Sequence, residues 1–339
     1  MIKSPLQLIG NTPLMKLSRV SAALDSSIFV KCEFLNPSGS IKDRMALKMI
    51  EGAEERGRLR PGSTIIDMSS GNTGPALSFV GSVKDYGVRM HIPARWTGKY
   101  SPENRIKLMK LFGAQVVPVE IEQYDDLLDG LSQQERAAAI FALGMKICYD
   151  MEKSNPSSVW WADQMSNIDN TLSHKEGTGK EIIDQVDVGD RIDAFVGSIG
   201  TGGTLFGVAQ AFEEKGIDPM IVGVEPEDAR VLEEWAKSGF LGEFLERKLG
   251  MPKRKYIIEE MVDHGIPDEI IHVTHDEARE MANRLCKEEG LFCGISSGAN
   301  VMAAIKTAKK LKRGSNIVTI CVDRRDRYFP EYPNEAYVI

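Results

Sequence analysis

The stretch Asn36-Pro-Ser-Gly-Ser-Ile-Lys-Asp-Arg44 lies between a strand-like run and a helix-like one. Upstream, Ser27 to Phe34 alternates and places Ile28, Val30, Cys32 and Phe34 on one face, the period of a strand. Downstream, Arg44 to Glu55 sets Ala46, Met49, Ile50 and Ala53 at helical spacing. A turn of small residues between them would present the Lys42 amine to a cleft, a position suited to imine chemistry. Lysine alone says little, because most lysines are solvated surface charges. The chemistry has to come from its company.

Outward from this turn the same grammar recurs. Thr64 to Met68 is a short apolar strand, Ser69-Ser-Gly-Asn-Thr-Gly74 follows it, and Pro75 to Val83 is an apolar helix. Strand, Gly-rich loop and helix in that order make a ligand-binding turn of an α/β fold. Val88 to Ala94 reads as strand, Pro102 to Phe112 as helix and Gln115 to Glu120 as strand. Ser132-Gln-Gln-Glu135 is a capping box for a helix reaching about Glu152. The polar run Lys153-Ser-Asn-Pro-Ser-Ser158 ends that helix and marks a candidate domain boundary. Asp193 to Val196 is then a strand entering Gly197-Ser-Ile-Gly-Thr-Gly-Gly-Thr204, which opens a helix toward Gly216. Met220 to Val224 is a strand, Thr274-His-Asp-Glu277 caps a helix that stops at Gly290, Ser297 to Lys312 is a helix, and Ile317 to Val322 is the last strand. Ala229 to Asp268 is charged and helix-prone, without a clear pattern. The alternation predicts two α/β units, each a parallel sheet covered by helices, with a cleft between them.

Size and charge agree with that class. A chain of 339 residues usually splits into two domains. A net charge of −7 without a basic stripe argues against nucleic acid or a membrane surface as partner. Cys32, Cys148, Cys286, Cys293 and Cys321 are scattered and never spaced as CxxC, so they read as buried free thiols in a reducing compartment. The N-terminal residues lack an apolar export core, and no run is long enough to span a bilayer, so a cytoplasmic location is expected.

Three loops carry the chemistry. Gly200-Thr-Gly-Gly-Thr204 offers consecutive backbone N–H groups at a helix start, a cup for phosphate. It lacks the Lys-Ser/Thr ending of a nucleotide loop and the spacing of a dinucleotide fingerprint. Glu225 stands where a nicotinamide enzyme would need its acid, but that reading leaves Lys42 without a role. Ser69 to Gly74 supplies hydroxyls, an amide and backbone donors suited to a carboxylate, although a plain helix cap uses the same residues. Gly294-Ile-Ser-Ser-Gly298 sets two hydroxyls at a third helix start, again compatible with an ordinary cap. Amine, phosphate cup, carboxylate loop and hydroxyl together are the parts needed to hold pyridoxal phosphate and an amino acid.

With those motifs in that order, from Ile9-Gly-Asn-Thr-Pro-Leu14 to Asp323-Arg-Arg-Asp-Arg-Tyr328, the sequence resembles the fold type II (tryptophan synthase β-like) pyridoxal-phosphate enzymes, within them the cysteine synthase and cystathionine β-synthase group. The resemblance implies two three-layer α/β/α domains with a cleft between them, a smaller one over 42–157 and a larger one from 1–41 and 158–339. It implies that Lys42 bonds covalently to the cofactor and that Asn72 meets its ring oxygen. Gly200, Thr201, Gly202, Gly203 and Thr204 would hold its phosphate, and Ser296 would face the pyridine nitrogen. Ser69, Ser70, Gly71, Thr73 and Gln164 would receive the substrate carboxylate. A serine at the ring nitrogen makes a weaker electron sink than an aspartate, which suits loss of a good β leaving group. Lys42, once released, would act as general base. The implied reaction is β-replacement through an α-aminoacrylate, making cysteine from O-acetylserine or O-phosphoserine and sulfide, in a homodimer with a serine acyltransferase as possible partner. Homocysteine or an amino-acid amine are alternative nucleophiles. A catalytically weak regulatory pyridoxal-phosphate binder is a further reading, which a base poised at the α-carbon does not favour.

The chain also departs from that group. Ser69 replaces the usual threonine, Thr73-Gly74 stands where the related dehydratases carry histidine, and Tyr124 to Ala139 reads as an insertion. After Glu225-Pro226 the usual His-Lys-Ile-Gln-Gly-Ile-Gly is missing and Asp263-His-Gly-Ile-Pro-Asp268 appears later, which leaves the leaving group and nucleophile open. Arg230 is placed to pair with a phosphate leaving group, or is a solvated helix charge; Arg95, Lys99 and Arg254 are candidates of the same kind. The tail Tyr337-Val-Ile339 either enters the active site or is an ordinary disordered terminus.

Overall fold

Ile28 and Val30 are fully buried in a strand that ends at Cys32, two residues before the alternation does. The chain leaves the sheet there because Glu33 turns inward to accept from Arg44 Nε at 2.8 Å and from the Thr12 hydroxyl at 2.7 Å. Phe34 therefore sits in a short 3-10 turn, Glu33–Leu35. The computed structural model describes residues 1–93, 102–120, 124–186, 191–227 and 239–331.

The strands are β1 (Leu14–Lys16), β2 (Ser27–Cys32), β3 (Thr64–Met68), β4 (Gly87–Pro93), β5 (Gln115–Val119), β6 (Val159–Trp161), β7 (Ala194–Ser198), β8 (Met220–Pro226), β9 (Glu269–Val273) and β10 (Asn316–Cys321). Among the described residues they form a six-stranded sheet, β1-β2-β10-β7-β8-β9, and a four-stranded one, β5-β4-β3-β6. The chain divides by its contacts into a first unit, Met1–Met45, Ile168–Val231 and Ile257–Arg325, and a second, Ala46–Asn167, Leu232–Tyr256 and Asp326–Ile339. Each sheet lies in one unit, so both are α/β.

In the first unit every pairing is parallel except β1 with β2. Its central strands read as continuous apolar runs because helices cover both faces: Phe195, Val196, Val222, Ile317 and Val318 are all fully buried. The helix His275–Glu289 starts at the expected capping box, with the Glu277 N–H donating to Thr274 Oγ1 at 3.1 Å and the Thr274 N–H donating to Glu277 Oε2 at 2.9 Å. Gly290 ends it at φ 73°. The helices Ile168–Ser173 and Lys180–Gln185 are joined by a π-helical turn, His174–Gly179. That wider turn meets the helix Gly203–Glu214 at Gly207, where an added Cβ would run into the Thr171 carbonyl.

In the second unit all pairings are parallel, with β3 between β4 and β6. The helix Thr73–Val83 is buried along nearly its whole length, from Thr73 to Gly81, as its apolar sequence requires. The helix Gln133–Ser154 begins at the capping box of Ser132 and Glu135 and packs on Met68 at Gly144. β6 follows the polar run Lys153 to Ser158 and pairs with β3; the division between units falls at Asn167 and Ile168. The helix Lys42–Glu55 starts in the first unit and continues in the second. The segment without a sequence pattern contains the short helices Phe240–Glu243 and Ile257–Asp263 before β9. All five cysteines are free, and Cys286 is half-buried rather than buried.

Candidate functional site

The Lys42 turn is pinned on both sides. The Ile41 N–H donates to the Val322 carbonyl at 2.9 Å and the Arg324 N–H to the Gly39 carbonyl at 3.0 Å. Asp43 folds back on Ser38, accepting from its N–H at 2.6 Å and from its hydroxyl. Arg44 is held by Glu33 and by Glu181, whose carboxylate receives Nη1 at 2.6 Å and Nη2 at 2.7 Å. Desolvation opposes ionisation of Glu181, yet Arg44 and Lys31 hold its pKa down to about 2. Lys42 itself is half-buried and its Nζ has no hydrogen-bond or ion-pair partner among the described residues. Desolvation lowers its pKa to about 8. An amine so placed is uncharged over part of the neutral range, as a nucleophile or base must be.

Gly200 to Thr204 forms the turn from the end of β7 into the next helix. Gly202, at φ 90°, is the N-cap of the helix Gly203–Glu214 and brings no side-chain cap, so the helix start presents backbone donors. At Gly200 an added Cβ would meet nothing within 4 Å, whereas at Gly202 it would come within 3.1 Å of Ile258 Cα. At Gly203 it would strike the Asn170 side chain, whose Nδ2 donates to Thr201 Oγ1 at 3.0 Å. Thr204 Oγ1 lies 3.2 Å from His174 Nε2, and His174 Nδ1 lies 3.0 Å from Thr178 Oγ1. Burial, with the charges of Lys42 and Arg44 behind it, drives the His174 pKa well below the ordinary value, so the ring is neutral. His174 is absent from the sequence reading; its signal was the pair His174 and Thr178, one helical turn apart. The first unit thus carries a helix start with open backbone donors and threonine hydroxyls beside them, and an amine without a partner among the described residues, which are groups that could serve a phosphate-bearing aldehyde.

Ser296 and Ser297 separate cleanly. Ser297 is fully buried and its Oγ accepts from the Val322 N–H at 2.8 Å, a structural bond. Ser296 is half-buried, without a hydrogen-bond partner among the described residues. Gly294, the N-cap of this helix, donates its N–H to the Asp323 carbonyl at 2.8 Å. Val322 to Arg324 thus clasps both the Lys42 turn and the start of the Ser296 helix.

The second unit carries the other loop. The Ser69 N–H donates to the His91 carbonyl at 3.0 Å, and Ser69 Oγ accepts from the Gly71 N–H at 3.1 Å. Ser70 and Gly71 are half-buried, and Asn72 is the N-cap of the helix Thr73–Val83 without capping it through its side chain. Thr73 donates Oγ1–H to Gln164 Oε1 at 2.6 Å, and Gln164 Nε2 donates to the Met68 carbonyl at 3.1 Å. The Gln164 backbone follows Asp163, which is held at φ 51°. Asp163 pairs with Arg254 and accepts from the Ser166 hydroxyl. Arg254 lies over the Trp161 ring at 4.6 Å and the Tyr149 ring at 5.5 Å, so its charge serves Asp163. Beside it, Trp161 Nε1 donates to Asp67 Oδ1 at 3.0 Å, and burial pushes the Asp67 carboxyl up to about 7. Arg230, Arg95, Lys99 and the tail Tyr337 to Ile339 lie outside the described residues. Among the described residues no cluster of histidine, cysteine or acids is arranged to hold a metal, and no helix is long and apolar enough to cross a membrane.

Comparison with known proteins agrees with this chemistry. The family model described as pyridoxal-phosphate dependent enzyme matches residues 5–323. A cysteine synthase of Staphylococcus aureus is 35% identical over 322 residues, covering 95% of this chain and 94% of that protein. The crystal structure of O-ureido-L-serine synthase superposes with a TM-score of 0.79 at 29% identity, over 99% of this chain and 96% of that one. An O-acetylserine dependent cystathionine beta-synthase from Helicobacter pylori gives a TM-score of 0.76 at 26% identity, over 97% of this chain and 98% of that one.

Proposed function

This chain belongs to the pyridoxal-phosphate dependent enzyme family, in which its relatives are β-replacement enzymes, and on that premise we propose that it makes cysteine from O-acetylserine or O-phosphoserine and sulfide. The observation that carries the reading is the Lys42 amine, desolvated and without a partner among the described residues, in the same unit as the backbone cup at Gly200 to Thr204. The O-acetylserine dependent relative from Helicobacter pylori supports an O-activated serine as donor.

Pyridoxal phosphate, when bound, supplies the electron sink that makes an amino acid's α-proton acidic and its β-substituent a leaving group. The residues of the chain do the rest. Gly200, Thr201, Gly202, Gly203 and Thr204 hold the phosphate, and Lys42 anchors the cofactor. Ser296 meets the ring nitrogen with a hydroxyl that does not stabilise a proton there. Ser69, Ser70, Gly71, Thr73 and Gln164 bind the substrate carboxylate and so orient the α-proton. The neutral Lys42 amine takes that proton and returns it to the same carbon after acetate or phosphate has left and hydrosulfide has added. The donor and hydrosulfide thus give cysteine and the free acid anion, with no net redox change. The homodimer that the resemblance implies is part of the same proposal, and sedimentation of the holoprotein tests it.

The visible spectrum of the cofactor-saturated protein tests the reading. O-acetylserine, O-phosphoserine and serine are added separately, and sulfide follows. The expected result is that one activated donor changes the band, sulfide restores it, and one equivalent of acetate or phosphate appears with the cysteine. A band that no donor changes overturns the substrate assignment.

A further inference from the structure

We propose that Arg327 is a positioning residue that fixes the side-chain amide of Asn72, turning its nitrogen outward as a hydrogen-bond donor for an anionic ring oxygen of the cofactor. The proposal rests on the reading above in which Asn72 meets that oxygen. Both residues lie in the second unit.

Arg327 is 2% exposed, and its Nη1 donates to Asn72 Oδ1 at 2.6 Å. A guanidinium has donors and no acceptor, so only the oxygen of a carboxamide can face it. The charge strengthens that bond and opposes rotation of the amide, since a flipped amide would set N–H against N–H. The nitrogen of Asn72 is then directed away from Arg327, as a donor. Asn72 also does not perform the task its position suggests, because it starts the helix Thr73–Val83 without a side-chain cap. An asparagine at an N-cap ordinarily bonds the second or third N–H of its helix.

The arginine is itself held firmly. It belongs to the 3-10 turn Arg325–Glu331, whose Asp326 carbonyl accepts from Asn104 Nδ2 at 3.1 Å. The guanidinium of Arg105 lies 4.8 Å from the centre of the Tyr328 ring, and Tyr328 is buried. Asn104 and Arg105 stand on the helix Glu103–Leu111, whose Met109 packs against Gly74 beside the Asn72 loop. Turn, helix and loop therefore form one supported arrangement. A donor backed by a buried cation favours an ionised oxygen over a neutral hydroxyl, which is a statement about the charge state the protein selects in its ligand.

The experiment measures cofactor dissociation and the visible band of the reconstituted protein for Asn72→Ala, Asn72→Asp, Arg327→Met, Arg327→Lys and the Asn72→Ala/Arg327→Met pair. Asn72→Asp keeps a partner for Arg327 but replaces the donor with an acceptor. The expected result is that Asn72→Ala, Asn72→Asp and Arg327→Met each weaken cofactor binding about tenfold or more and displace the band in the same direction. Arg327→Lys, which retains one donor, moves the band back toward wild type, and Arg327→Met adds no displacement when Asn72 is already alanine. A wild-type band in Asn72→Asp, or in a folded Arg327→Met, overturns the proposal. Should Arg327→Met not fold, Arg327→Lys decides: a displacement in the same direction as, and smaller than, that of Asn72→Ala supports the proposal, and a wild-type band and affinity overturn it. An unchanged band and affinity in Asn72→Ala instead removes the underlying assignment of Asn72.

Discussion

The Thr73 hydroxyl donates to Gln164 Oε1 at 2.6 Å, and the other end of the same amide donates to the Met68 carbonyl at 3.1 Å, the last residue of β3. One side chain therefore ties the strand end to the helix start and fixes the loop between them. Gln164→Ala removes both bonds and leaves the buried Met68 carbonyl without this donor. In steady-state assays we expect the KM for the amino-acid donor to rise about tenfold, from the loss of roughly 1–1.5 kcal/mol of positioning, with a smaller change in kcat. An unchanged KM would mean that this loop does not receive the carboxylate.

Arg254 acts one residue earlier. It compensates the charge of Asp163, whose carboxyl is pushed up by desolvation and pulled down by this guanidinium. Arg254→Ala leaves an uncompensated buried carboxylate and uncovers the Trp161 ring. We expect a loss of about 2–3 kcal/mol, at the lower end for a broken buried pair because both partners retain some solvent contact. Denaturant melts measure it, and Asp163→Asn in the Arg254→Ala background should recover part of the loss by removing the stranded charge.

The Lys42 amine gives a pH dependence with a definite sign. Its folded pKa of about 8 lies below the ordinary 10.5, so the unfolded chain binds the extra proton and burial of Lys42 costs stability below pH 8. Lys42→Met should stabilise the cofactor-free protein at pH 7 by about 3 kcal/mol, taking 1.36 kcal/mol for each pKa unit. That advantage should shrink as pH rises from 8 toward 10.5, because over this window the folded wild-type amine has lost its proton while the unfolded chain still holds it, and above 10.5 both are neutral and the penalty is gone. Paired melts across this range measure it; a constant difference would mean that the amine is not desolvated. Cofactor uptake by the wild-type apoprotein should likewise accelerate through about pH 8, where the neutral amine appears.

What the sequence disclosed depended on how local the cause was. β3 was legible to the residue, and both capping boxes were, because strand period and Ser/Thr-x-x-Glu spacing are encoded within a few positions. β1 and β6 have three residues each, too few to show a period, and β9 follows a charged stretch that hides it. Lys42, the turn at Gly200 to Thr204 and the Ser69 to Gly74 loop could be singled out as candidates because each is contiguous in sequence. The residues that hold them could not. Arg327 is 255 positions from Asn72, and Arg254 is 91 from Asp163, so only the fold brings these partners together. Likewise, Phe34 continues the alternation of β2 on paper, but the demand of Arg44 for Glu33 ends the strand first.

The two glycines of the cup separate folding from binding. Gly202 sits at φ 90°, where an L-residue is strained, and an added Cβ would come within 3.1 Å of Ile258 Cα. Gly202→Ala should therefore destabilise even the cofactor-free protein, by about 1–2 kcal/mol. Gly200 has open space for a Cβ, with nothing within 4 Å, so Gly200→Ala should leave the melting of the apoprotein within about 0.5 kcal/mol of wild type. If the phosphate approaches the backbone there, the same methyl group occupies its place. Equilibrium binding of pyridoxal phosphate to apo Gly200→Ala should then weaken by about tenfold or more, the equivalent of at least one lost hydrogen bond to a charged group. Normal stability with weakened binding places the phosphate at Gly200, because the structure supplies no other reason for that methyl group to matter. Wild-type binding would move the phosphate away from Gly200 and leave the cup to the N–H groups that follow it.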